Sequence, residues 1–212
     1  MKRLFFFLLV LGVSVSLFAQ VQLPEYHFAA GSWGFLGDRV YQNNARSGLA
    51  KANIRVPQQG PMIYEFNARY EDGLQDGHGG FGFHVFADSA YNGPSWGVGK
   101  SYLLWLNYDE KPITPGIPRG FSAQVYRSIN NSRMELVQSF DLNEYLPYIT
   151  WDDIRNPVPL KIWVNGDTGE VRAYDPSDPS LSRYWYFYLS GAPLKGDWIA
   201  LRTNGAKLSF GL

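Results

Sequence analysis

The chain has 212 residues, no cysteine, 17% aromatic residues and 19 basic against 19 acidic side chains. Loss of a leader spanning residues 1–19 would remove Lys2 and Arg3 and leave 17 basic against 19 acidic groups, which offers no electrostatic footprint to nucleic acid or an anionic membrane. The missing cysteines exclude disulfide staples, thiolate catalysis and Cys-ligated metals, so the fold must rest on a sizeable apolar core.

The first element is a targeting segment. Lys2 and Arg3 precede an uncharged apolar run, 4–18, that is shorter than the roughly 20 residues a membrane-spanning helix needs. Ala19 supplies the small residue before a cleavage site at Gln20. The expectation is an exported protein of bacterial type, periplasmic or secreted. Cleavage would leave no stable membrane insertion and a single domain over residues 20–212; the alternative is an uncleaved membrane anchor.

Short alternating runs follow, separated by Gly, Pro, Asn and Asp clusters, which predicts an all-β, two-sheet antiparallel sandwich of jelly-roll type. Ala50, Ala52, Ile54 and Val56 alternate with Lys51, Asn53 and Arg55 until the stretch 57–61 breaks the run. Tyr64, Phe66, Ala68 and Tyr70 then alternate with Ile63, Glu65, Asn67 and Arg69. A turn-rich insert, 71–80, leads into a strand over 81–86, and further strands are predicted over 101–108, 121–128 and 134–140. Pro112, Pro115 and Pro118 stiffen a loop, and Pro147 with Ile149-Thr150 makes 143–155 a loop crossing one end of the sheets. Five consecutive aromatics, 184–188, cannot all face one side. That stretch reads as a strand buried on both faces, or as an edge covered by a partner subunit in an oligomer. The chain closes on two predicted hairpins: 160–165 with 170–174 across Gly166–Gly169, and 198–203 with 206–210 across Asn204-Gly205.

The order Gly31-Ser32-Trp33, Val40-Tyr41-Gln42, Tyr64-Glu65-Phe66 and Gly80-Phe81-Gly82-Phe83 resembles the opening strands of a concanavalin A-like (laminin G-like) sandwich. Lys161-Ile162-Trp163-Val164, Gly169-Glu170-Val171 and 196–203 resemble its closing strands. Such domains include lectins, carbohydrate-binding modules, glycosidases and adhesive modules, so the fold alone does not select an activity. The resemblance implies one test. Laminarinase-like glycosidases of this fold carry Glu-x-Asp-x-x-Glu on one strand, with the glutamates as nucleophile and acid/base. Here Glu65 fits the first position, but Asn67 and Tyr70 stand where Asp and the second Glu are expected. A retaining glycosidase needs two carboxyl groups about 5–5.5 Å apart, and this strand does not supply them. A second acid would have to come from elsewhere, with Asp88 and Asp109 as candidates.

Alternation instead groups polar and aromatic residues that suit a sugar: Glu65, Asn67 and Arg69 on one strand, Trp105 with Asn107, Gln124 with Tyr126, and His84 opposite Phe83 and Val85. Rings stack on the C–H face of a sugar, and planar amide and guanidinium groups meet its hydroxyls. The same residues fit core aromatics beneath a solvated polar face. Tyr91 and Trp96 sit in a turn-rich loop, either displayed to a ligand or folded back over a sheet edge. His27, His78 and His84 are too scattered for a zinc site. Calcium is the one cofactor the carboxylates could hold, at Asp72 and Asp76 or at Asp175 and Asp178, although such clusters are more often plain turns. The leading expectation is an exported, non-catalytic carbohydrate-binding protein. The alternatives are an assembly protein of the cell envelope or a surface appendage that binds other proteins, and a secreted glycoside hydrolase.

Overall fold

The computed structural model describes residues 24–73, 77–145 and 151–211, which form fourteen strands and three single-turn 3-10 segments. The expected leader, together with Asp76, Pro147 and Ile149-Thr150, lies outside the described residues. In chain order the strands are β1 (Tyr26–Ala30), β2 (Trp33–Leu36), β3 (Arg39–Gln42), β4 (Leu49–Gln59) and β5 (Pro61–Asp72). Next come β6 (His78–Ala87), β7 (Ser101–Asp109), β8 (Gly120–Ser128), β9 (Met134–Asp141) and β10 (Val158–Asn165). The last are β11 (Glu170–Tyr174), β12 (Tyr184–Tyr188), β13 (Lys195–Asn204) and β14 (Lys207–Gly211).

They build two seven-stranded antiparallel sheets, ordered β1-β4-β13-β6-β7-β8-β9 and β12-β11-β10-β5-β14-β3-β2. Alternate residues turn inward as the period-two pattern requires. Ala52, Ile54, Phe83, Leu104, Val125 and Leu201 of the first sheet meet Tyr64, Ala68, Val164, Leu208 and Phe210 of the second in one apolar core. Trp151 and Ile154, from the 3-10 segment Asp153–Arg155 and its approach, close one end of that core. There the Trp151 ring lies 4.9 Å from Tyr70 and 5.4 Å from Phe121.

Three expectations change. The Asn204-Gly205 turn does not make a hairpin. β13 lies in the first sheet between β4 and β6, while β14 lies in the second between β5 and β3, so the turn carries the chain across the end of the sandwich. Both strands are flanked on each side, and their inward residues Ile199, Leu201, Leu208 and Phe210 join the core. Pro57 does not end its strand either. β4 runs through it to Gln59, beyond the last residue paired with β1 and opposite the register shift between Gly196 and Trp198, where a missing N–H is tolerated. Finally, β12 is not buried on both faces. It is the edge of the second sheet, with Trp185 and Phe187 turned inward and Tyr184, Tyr186 and Tyr188 exposed.

Candidate functional site

The eight sequence-derived site residues fall on opposite outer faces of the sandwich. Glu65, Asn67 and Arg69 alternate outward from β5 on the second sheet. There Glu65 pairs with Lys161 at 2.5 Å, and Arg69 donates to Glu71 at 2.7 Å. The Asn67 side chain accepts from Arg39, whose guanidinium also donates to the hydroxyl and carbonyl of Ser209. These groups form a satisfied surface network. Asp109 belongs to β7, and Asp88 directly follows β6, so both candidate second acids sit with the other sheet and neither faces Glu65.

The remaining five belong to the first sheet, where three of them line a groove. Trp105 and Asn107 of β7 and Tyr126 of β8 form its floor with Leu103, Arg202 and Asn204. Trp96 rises on one side, the stiff 110–119 loop contributes Ile113 and Ile117, and the space between is about 530 Å³. Trp105 lies flat because strand β6 has no side chain beneath it. A Cβ at Gly80 would come within 2.6 Å of the indole and 2.5 Å of the Leu106 carbonyl oxygen. The Trp105 Nε1–H donates to Asn107 Oδ1 at 3.1 Å, fixing both groups. Gln124 is buried below the groove rather than in it. It accepts from the Tyr126 hydroxyl at 2.8 Å and donates to Ser122 at 2.8 Å, and burial raises the Tyr126 phenol above its ordinary range.

His84 is outward-facing by alternation yet fully buried, because the 88–100 loop folds over it. Ser101 Oγ donates to the Val98 carbonyl, so it accepts from His84 Nδ1–H at 2.8 Å; this leaves Nε2 to accept from Arg202 at 3.1 Å. His84 is therefore neutral. Burial first, then Arg202 and Lys51, holds its pKa well below the ordinary imidazole value. Arg202 also donates to the Trp96 carbonyl, while Lys51 donates to Ser95 Oγ at 2.8 Å and to the Gly97 carbonyl at 3.3 Å. Gly97 N donates to Asn131 O and Val98 N to Ser128 Oγ, so the loop is held on both sides. The result is a rigid mount for Trp96, whose ring remains 58% exposed over the groove.

Sequence reasoning missed Arg202 and Asn204 because β13 was assigned to a hairpin rather than to the sheet interior. The run Trp198, Ala200, Arg202, Asn204 nevertheless carried the period-two signal. Two of the four residues considered as calcium ligands, Asp175 and Asp178, hold loop hydrogen bonds. Asp178 accepts from Ser180, Ser182 and Arg183 and organises the loop between β11 and β12, while Asp175 accepts from Ser177. Among the described residues no three His, Asp or Glu side chains gather as a metal site, and no helix is long and apolar enough to cross a membrane.

No family model matches the sequence, and no curated protein matches it. Solved structures do. A carbohydrate-binding module of the CBM66 type from Bacillus subtilis superposes with a TM-score of 0.56 at 13% identity, covering 87% of this chain and 91% of that one. A Bacillus subtilis protein of unknown function with a galectin-like fold gives 0.54 at 13% identity, covering 88% and 86%. The legume lectin-like domain from Entamoeba histolytica gives 0.51 at 12%, covering 87% and 85%. At these identities the likeness is one of fold alone, an all-β, two-sheet antiparallel sandwich of jelly-roll, concanavalin A-like type.

Proposed function

We propose that the protein is an exported, non-catalytic carbohydrate-binding module whose ligand lies in the groove of the first sheet. The observation that carries this reading is the groove itself. An indole lies flat on its floor, a second indole stands on a fixed loop, and the amides of Asn107 and Asn204 sit between aromatic and aliphatic walls. Sugars are held by this combination of ring faces and planar hydrogen-bonding groups. The solved carbohydrate-binding and lectin-like domains of the same fold support the reading. Export rests on Lys2, Arg3 and the apolar run ending in Ala19.

A glycan array probed with the wild-type domain, Trp96→Ala and Trp105→Ala tests it. Each substitution should reduce retention of the bound glycan by about tenfold or more, the loss expected when a stacking ring worth about 1.5 kcal/mol is removed. Trp96→Ala should leave the Tm unchanged, because its ring is largely solvent-exposed. Retention unchanged in both variants would sink the proposal. A second reading, assembly with envelope proteins, is favoured by one feature: β12, the edge strand of the second sheet, with its three exposed tyrosines. It predicts co-purification with an envelope complex that is lost in a Tyr184→Ala, Tyr186→Ala, Tyr188→Ala variant.

A further inference from the structure

The sheets do not meet equally tightly along their length. On β7 and β8, inward-facing Leu104 and Val125 are buried, yet the next inward pair, Leu106 opposite Ala123, keeps accessible surface. Across the sandwich the same change occurs. Ile162 and Val171 are buried, whereas Leu160 and Ala173 are only partly so, although alternation turns them between the sheets. The space between these residues is a cavity of about 140 Å³, with Phe66, Val158 and Trp185 also on its wall. Protein interiors seldom leave a void larger than a water molecule. Water is a poor occupant here, because it needs two or more polar partners and the interior of this cavity offers hydrocarbon.

Access is built in. Tyr174, Pro176 and Lys161 line the cavity and also line an open surface groove of about 570 Å³ beside the 175–183 loop. At this mouth Lys161 is held by Glu65 at 2.5 Å. Two alanines, Ala123 and Ala173, keep the gap open where larger side chains would close it.

We propose that this inter-sheet cavity is a binding site for a neutral apolar ligand, the size of one aromatic ring or the end of an acyl chain. It is separate from the groove on the outer face of the first sheet and stands or falls independently of any glycan there. An apolar protein cavity of about 150 Å³ stays dry and takes benzene, so the volume here suits the same class of guest.

The test titrates the folded protein with benzene and follows unfolding by calorimetry. A bound ligand should raise Tm saturably, by about 3–6 °C at ten times its Kd. Ala173→Leu, which fills the cavity, should remain folded and lose that response. A wild-type Tm that does not rise, or a rise that Ala173→Leu reproduces in full, overturns the proposal. Should Ala173→Leu fail to fold, methyl NMR of the wild type decides. Benzene-induced shifts confined to Leu106, Val158 and Leu160 support the site, and shifts that are absent or spread over the surface refute it.

Discussion

Lys51 and Arg202 bring two cations beneath the 88–100 loop, each 1% exposed and neither in an ion pair with a described carboxylate. Loop carbonyls and Ser95 Oγ accept hydrogen bonds from them, which offsets only part of the cost of removing charge from water. Burial first and Arg202 second lower the Lys51 pKa to about 8 from an ordinary 10.5. Between those values the unfolded chain holds a proton that the folded protein has released, so stability rises with pH across this window. The denaturation midpoint should therefore increase between pH values of about 8 and 9, below the titration of unfolded tyrosines near 10, and Lys51→Met should flatten the increase. A wild-type midpoint that falls over that interval would refute the assignment. His84 acts at the other end. Its neutral form is fully favoured above the unfolded value of about 6.5, and its contribution is lost as pH falls below that value toward the lower folded pKa. Trp105, Asn107 and Tyr126 were legible at this scale because alternation along a strand fixes which face a residue takes. The burial of His84 was not, since its cover is a loop whose position depends on Arg202, 118 residues away in the chain.

Among the connecting elements, the loop between β11 and β12 shows how one carboxylate replaces regular structure. Asp178 accepts from the hydroxyls of Ser180 and Ser182 and from the backbone N–H groups of Ser180, Ser182 and Arg183, which holds its pKa far below the usual carboxylate range. This contribution is present above the unfolded carboxylate pKa and is lost only as pH falls toward the much lower folded one. Asp178→Ala should lower Tm and speed hydrogen exchange at the Ser182 and Arg183 amides roughly tenfold or more, with the β13 amides unaffected. Unchanged protection at Ser182 and Arg183 would mean that Asp178 is incidental to the loop. Strand existence was legible in the sequence, and so was the β10–β11 hairpin. Sheet membership was not. An Asn-Gly turn between two alternating runs satisfies a hairpin and a sheet-to-sheet crossing equally, and what decides is whether each strand finds partners on both sides. The Tyr184–Tyr188 strand posed a related problem: five aromatics cannot report which face is covered when the neighbouring sheet is remote in sequence.

At the scale of the whole molecule, the crossing at Asn204-Gly205 places β13 and β14 in the interiors of the two sheets, each third from an edge. β13 joins β4 to β6 and β14 joins β5 to β3, and together they deliver Ile199, Leu201, Leu208 and Phe210 to the core. β1 lies instead at one edge and pairs with β4 alone. Chain ends ordinarily fray at little cost, but that holds only where the terminal element is peripheral. Ending the chain after Leu194 would open four strand edges and remove the strip of core between them, leaving unpaired backbone that water or aggregation must satisfy. Such a truncation should show no cooperative thermal transition by circular dichroism. Removing residues 24–30 should lower Tm while preserving a single sharp transition, because it strips one edge and leaves both sheet interiors intact. A truncated chain ending at Leu194 that still melts cooperatively would show that the sheets cohere without these interior strands. The groove constrains this further, since Arg202 and Asn204 on β13 form part of its floor. The strand that joins the two halves of the first sheet also completes the proposed binding surface, so the fold and the site should be lost together.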